Sequence, residues 1–225
     1  MNNVTKGKLI SIEGVDGAGK NTQTKLLKEY LESKGKEVVM FAFPQYDTEV
    51  GRVIAKYLRG EFGNINEAPN ELICIAFAAD RLSMAREIED HLNNGRYVLI
   101  DRYTYSNLFT AAKLGEDKWQ DFINWIEKLE FDSLKVVKPD YNLFLYVDPS
   151  ISLERIQSRG KRSYQNGKKD IHEDNEKLLR NASKCYMNFA GSKDDWFIVN
   201  EMKDGKQMSI EEVANIIREK IDTLV

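Results

Sequence analysis

The run Gly14-Val15-Asp16-Gly17-Ala18-Gly19-Lys20-Asn21-Thr22 constrains this chain more than any other feature. It joins a short apolar run at residues 9–12 to a helical stretch at 22–33, and it follows the spacing G-x-x-x-x-G-K-[ST] at every position but one. Glycines at these positions let backbone N–H groups converge on phosphate oxygens, and the helix that follows adds the positive end of its dipole. Lys20 would reach the β- and γ-phosphates of a nucleoside triphosphate. A strand before and a helix after are the context this chemistry requires. Asn21 stands where Ser or Thr usually offers Mg²⁺ a hydroxyl, and Thr22 comes one position too late. An amide oxygen can serve a hard ion directly or through water, but carboxylates must then share the metal, and Asp16 and Asp101 are the near candidates.

Elsewhere short branched or aromatic runs alternate with longer amphipathic ones. Residues 9–12, 38–43, 97–100, 143–147 and 196–199 read as buried strands. Helical patterns cover 22–33, stopped by Gly35, and 69–93, where Leu72, Ile73, Phe77, Leu82, Ala85, Ile88 and Leu92 recur near a 3.6 period. Further helices are expected at 121–129, 153–159, 175–190 and 210–224, the last opened by a Ser209/Glu212 capping box. Five strands alternating with helices predict one α/β domain over residues 1–225: a five-stranded parallel sheet with helices on both faces, in three layers. Residues 159–170 break the pattern as a polar, basic, glycine-containing loop.

Composition narrows the function classes. Lys and Arg total 33 against 36 Asp and Glu, a net charge of −3, which argues against a nucleic-acid binder but not against a small anion held by local cations. No apolar run is long enough for a bilayer, and the polar N-terminus lacks a signal-peptide core. Cys74 and Cys185 have no metal-like spacing and read as reduced structural thiols of a cytoplasmic protein. His91 reads as structural.

Asp101-Arg102-Tyr103 and Ser106-Asn107 follow the third strand, on the side where open α/β sheets bind ligands. There Asp101 can orient an acceptor phosphate or metal-bound water, and Arg102 can grip a phosphate bidentately. Phe77 and Arg81 lie four apart on one helix face, an aromatic ring beside a cation, which suits a flat base bearing carbonyls. Together with Phe43-Pro44-Gln45-Tyr46, Lys138-Pro139-Asp140, Asp148-Pro149 and the glycine-rich turn, these pieces resemble the thymidylate kinases in order, spacing and residue type, from residue 9 to about 190.

The resemblance implies a P-loop kinase fold with a basic lid at about 159–172, working as a homodimer that passes a phosphoryl group from ATP to dTMP, with Mg²⁺. It implies that residues 14–22 hold ATP, that Phe77 stacks on thymine, that Arg81 donates to a thymine carbonyl and that Asn107 meets the base edge. Arg81→Ala is then expected to weaken dTMP more than ATP. Arg102 would clamp the dTMP phosphate, helped by Tyr46 and the Phe43-Pro44 turn. Asp16 would lie near sugar and metal, Glu173 would be an acid near the same groups, and His172 stands where some relatives carry a tyrosine near the sugar. Because Gly17 replaces an arginine that some relatives carry, Arg159 or Arg162 of the lid would supply the transition-state cation, alongside Lys20. Transfer would be direct and in line, without a strong general base, since the acceptor is already an oxyanion.

Two other readings stand beside this one. A kinase of another nucleoside monophosphate or of a deoxynucleoside is possible, but the latter would want a Glu before the Arg after strand three, where Asp101 stands. A GTPase switch would want Asn-Lys-x-Asp after a strand; Asn166-Gly167-Lys168-Lys169-Asp170 has the wrong spacing and no strand before it.

Overall fold

The computed structural model describes residues 5–65, 67–158, 163–166, 170–172 and 175–224. Five strands, β1 (Leu9–Glu13), β2 (Val38–Ala42), β3 (Tyr97–Asp101), β4 (Tyr141–Tyr146) and β5 (Trp196–Asn200), form one sheet in the order β2-β3-β1-β4-β5. Every pairing is parallel, with Ser11 opposite Ile100 on one side and opposite Asn142 on the other. β1 is buried at all positions, as a central strand covered on both faces must be. Alternation along the strands separates the faces. Ile10, Ile12 and Leu99 join a cluster with Leu27 and Leu31, while Leu9, Val98 and Ile100 pack with Ile88 and Leu92.

The helices are α1 (Lys20–Ser33), α2 (Glu49–Leu58), α3 (Asn70–Asn93), α4 (Leu108–Ala111), α5 (Trp119–Glu127), α6 (Pro149–Ser158), α7 (Glu176–Ala190) and α8 (Ile210–Asp222). The capping box that opens α8 is formed as the sequence predicts. α2 was not expected; Thr48 caps it, accepting from Gly51 N at 3.0 Å. A short hairpin, β6 (Met202–Lys203) and β7 (Lys206–Gln207), also lay outside the predicted pattern.

Two departures matter for function. α5 runs directly into a π-helical turn, Lys128–Ser133, beyond the predicted end at 129, and this turn buries Glu130 completely. α3 does not bury all its apolar periodicity: Leu72 and Leu82, expected in the core, are 61% and 40% exposed, with Ile75 at 43%. The inward stripe instead contains Asp80 and Arg81. Cys74 and Cys185 are both free and buried, and burial pushes each thiol up to about 12. Among the described residues, no helix is long and apolar enough to cross a membrane.

Candidate active site

The glycine-rich turn leaves the central strand and enters α1 at the C-terminal edge of the sheet. Gly17 has φ 79°, and a Cβ there would lie 2.6 Å from the Ser152 carbonyl oxygen of α6, so a side chain would be both strained and obstructed. Ser152 Oγ donates to the Asp16 carbonyl oxygen, tying the turn to α6. Lys20 Nζ folds back over the loop, donating to the carbonyl oxygens of Gly14 at 3.0 Å and Val15 at 2.8 Å. Gly17, Gly19, Lys20, Asn21 and Thr22 line a cleft of about 500 Å³, facing Asp101, Arg102 and Arg155. Val15 and Ala18 are buried behind the turn.

A second cavity adjoins this cleft. Phe43, Pro44, Tyr46 and Arg102 line both, forming a common wall. Beyond it lie Asp16, Phe77, Arg81, Asn107 and His172. Arg102 stands between the two cavities. Its backbone is left-handed at φ 68°, and its Nη2 donates to Asp16 Oδ1 at 2.6 Å. The backbone after it is held by Glu13, the last residue of β1. Glu13 accepts from Tyr103 N at 2.9 Å, Ser106 Oγ at 2.7 Å and Tyr186 OH at 3.2 Å. Burial pushes the Glu13 carboxyl up, against the pull of the Ser106 and Tyr103 hydrogen bonds and the Arg102 and Lys20 charges. Asp80 Oδ2 accepts from Gln45 N at 2.9 Å, anchoring the Phe43–Tyr46 turn to α3.

Arg81 answers the question its position raises, since an arginine on an inward helix face needs a partner. That partner is Glu130. Arg81 Nε donates to Oε2 at 2.7 Å and Nη2 to Oε1 at 2.5 Å, a two-pronged pair with both side chains at most 1% exposed. Thr104 Oγ1 and Asn107 Nδ2 donate to the same carboxylate, each at 2.9 Å.

The described part of the predicted lid does not read as a solvated loop. Tyr164 stacks on Tyr46 with ring centroids 4.2 Å apart, its carbonyl accepts from Arg59 Nη1 at 2.8 Å, and its hydroxyl donates to Asp170. Both rings line the second cavity, which holds about 60 Å³. His172 is buried, stacked on Phe109 and hydrogen-bonded through Nε2 to Tyr57 OH at 3.0 Å. Burial, reinforced by the Lys113 charge, pushes it down to about 4. Depression below the ordinary value of 6.5 means the unfolded chain takes up the proton first. His172 therefore favours folding above about pH 6.5, and that contribution is lost as pH falls toward 4. Urea unfolding at stepped pH should show a stability slope across this window that His172→Gln removes; an unchanged slope would mean other groups carry it.

The structure thus brings together Asp16, Lys20, Asn21, Thr22, Phe43, Tyr46, Phe77, Arg81, Asp101, Arg102, Asn107 and His172 around two joined cavities. Arg159, Arg162 and Glu173 lie outside the described residues. Sequence reasoning missed Glu13, Glu130, Tyr164 and Arg155. Arg155 Nη1 donates to the Gly17 carbonyl oxygen at 2.7 Å and Nη2 to Glu201 Oε2 at 2.9 Å, placing a cation at the turn. It was findable, four residues before Arg159 on the same predicted helix. A third cavity continues from the turn past Arg155 to Gln23, Glu201, Met208 and Ile210. Among the described residues, no group of three or more His, Cys, Asp or Glu could by itself hold a metal ion. Asp101 and Asn21 nevertheless share the cleft with Lys20, and this oxygen set fits a hard ion completed by substrate phosphates.

Residues 12–217 match the family model described as thymidylate kinase. A thymidylate kinase of Plasmodium falciparum (isolate 3D7) is 34% identical over 180 residues, covering 75% of this chain and 80% of the relative. A thymidylate kinase of Schizosaccharomyces pombe is 29% identical over 228 residues, spanning 100% of both chains. Among solved structures, a thymidylate kinase of Candida albicans aligns with TM-score 0.74 and 26% identity, over 97% of this chain and 92% of that one.

Proposed function

The chain belongs to the thymidylate kinase family and phosphorylates dTMP to dTDP, and we propose that the two joined cavities divide that reaction between them. The triphosphate of ATP lies along residues 14–22, with its adenosine extending past Arg155 toward Glu201 and Met208. dTMP occupies the neighbouring cavity, its base between Phe77 and Arg81 and its phosphate on Arg102. The observation that carries this reading is the common wall: Arg102 and the Phe43-Pro44 turn face both cavities, so a phosphate held there meets the triphosphate end to end.

An oxygen of the dTMP phosphate then attacks the γ-phosphorus in line, and ADP leaves. The attacking oxygen is already anionic, so no side chain needs to remove a proton. The chain's work is positioning and charge. Lys20 exchanges the Gly14 and Val15 carbonyls for phosphate oxygens. Arg155 already sits on the turn, and Arg159 and Arg162 remain the lid cations proposed from sequence. Mg²⁺, held by Asp101, Asn21 and triphosphate oxygens, with Asp16 and Glu173 as further acidic candidates, would shield the charge that keeps the two nucleotides apart. Entry of dTMP requires the Tyr46–Tyr164 stack to part.

Assaying dTMP, dUMP, dCMP and thymidine side by side with ATP tests the assignment. A clear preference for dTMP is expected, whereas indifference among the monophosphates, or a preference for thymidine, would contradict it.

A second copy of this chain is the proposed partner for the exposed apolar stripe of α3, where Leu72, Ile75 and Leu82 fall on one side of the helix. Leu72→Glu with Leu82→Glu should convert a dimer to monomer in sedimentation. A species of unchanged mass would put the interface elsewhere.

A further inference from the structure

We propose that Glu130, a residue that does not line the cavity, fixes which pyrimidine the cavity accepts. The proposal rests on the reading that dTMP binds beside Phe77 and Arg81.

The argument begins with the carboxylate. Glu130 is fully buried and receives four hydrogen bonds, two from Arg81, one from Thr104 and one from Asn107. A carboxylate paired with a guanidinium accepts and does not donate. The Asn107 amide must therefore turn its Nδ2 toward Glu130, because Oδ1 in that position would set two acceptors against each other. With Nδ2 fixed at 2.9 Å from Oε1, Oδ1 is left on the other side of the amide. Asn107 lines the cavity, and among the described residues its Oδ1 accepts no hydrogen bond. Arg81 lines it too. Nε and Nη2 are committed to Glu130, and among the described residues Nη1 makes no hydrogen bond.

The cavity thus offers a base edge one donor from a guanidinium and one acceptor from an amide. Thymine and uracil carry the matching pattern, with an acceptor at O4 beside a donor at N3–H. Cytosine carries the reverse, an amine at C4 beside a bare N3. An asparagine free to turn could serve either base by exchanging its oxygen and nitrogen. Glu130 removes that freedom, and the π-helical turn at Lys128–Ser133 brings it to the far side of both side chains. Single-turn π insertions of this kind often mark functional positions. Glu130 is accordingly a positioning residue: it touches no substrate, and it sets the hydrogen-bond polarity of two residues that do.

The test measures kcat/KM for dTMP and dCMP in the wild-type chain, in Glu130→Gln and in Glu130→Asp. The glutamine can both donate and accept, so it no longer dictates the Asn107 orientation. The aspartate keeps the charge opposite Arg81 but draws back from Asn107. Both are expected to lower the dTMP-to-dCMP ratio by about tenfold, the equivalent of one lost hydrogen bond to the base. KM for ATP should not move. The ratio of two kcat/KM values does not depend on how much enzyme is folded, so a destabilised variant still reports. Variants that keep the wild-type ratio while losing activity on both substrates equally would assign Glu130 a purely structural role and overturn the proposal. A wild-type chain with no preference for dTMP over dCMP would overturn the functional reading on which it rests.

Discussion

Arg102→Ala is expected to lower kcat/KM for dTMP by about 10²–10³-fold, the usual loss when one aimed donor to a developing charge is removed. KM for ATP should change little. The asymmetry follows from geometry. The triphosphate cleft keeps its glycine turn, Lys20 and Arg155, while the acceptor cavity loses the cation that, among the described residues, its wall shares with the cleft. The same substitution takes the 2.6 Å partner from Asp16, whose side chain is only 9% exposed. Some loss of stability should therefore accompany the loss of activity. Arg102→Lys restores a charge but not the planar fork, so it should recover stability better than turnover. Steady-state kinetics with each nucleotide varied in turn decides the matter. A fall in ATP affinity equal to the fall for dTMP would mean that Arg102 supports the whole cleft rather than the acceptor.

Arg81→Ala is expected to cost about 3–5 kcal/mol of folding stability, because it leaves the buried Glu130 carboxylate, among the described residues, with Thr104 and Asn107 as its remaining donors. This changes the expectation drawn from sequence, in which only a base contact would be lost. Urea denaturation should show the midpoint falling for the single variant. Arg81→Met with Glu130→Leu removes both charges together and should regain much of the stability, since replacing a buried pair by apolar groups is often neutral. It should not regain dTMP binding. If the single variant unfolds at the wild-type midpoint, the pair does not carry the weight its burial implies.

The contrast between these residues and the glycine turn explains what was legible in the sequence. The turn is a local device: its glycines, its lysine and the flanking strand and helix lie within a few residues of one another, so spacing alone exposes it. The five strands were legible for a similar reason, since each is a short buried run bounded by turns. Arg81 pairs across 49 residues with a carboxylate in a π-helical turn, where neither strand nor helix periodicity gives a signal. Glu13 was hidden differently, as a charged residue ending an apolar strand, and only the fold brings Ser106 and Tyr186 to it. On α3 the apolar period was real, but two stripes share the helix and periodicity does not say which faces inward. Leu72 and Leu82 lie outward while Asp80 and Arg81 lie inward. α2 escaped in a stretch where the sequence reading placed no element. The basic segment drew attention by its charge, but its cations lie outside the described residues, and the contacts described for it are those of Tyr164 and Asp170.

The most direct measurement uses one molecule carrying adenosine and thymidine at opposite ends of a pentaphosphate. If the two cavities meet at Arg102, this compound spans both, binds once per chain, and inhibits competitively against ATP and against dTMP alike. Competition with only one of the two nucleotides, or binding no tighter than either nucleotide alone, would show that the cavities do not hold the substrates end to end.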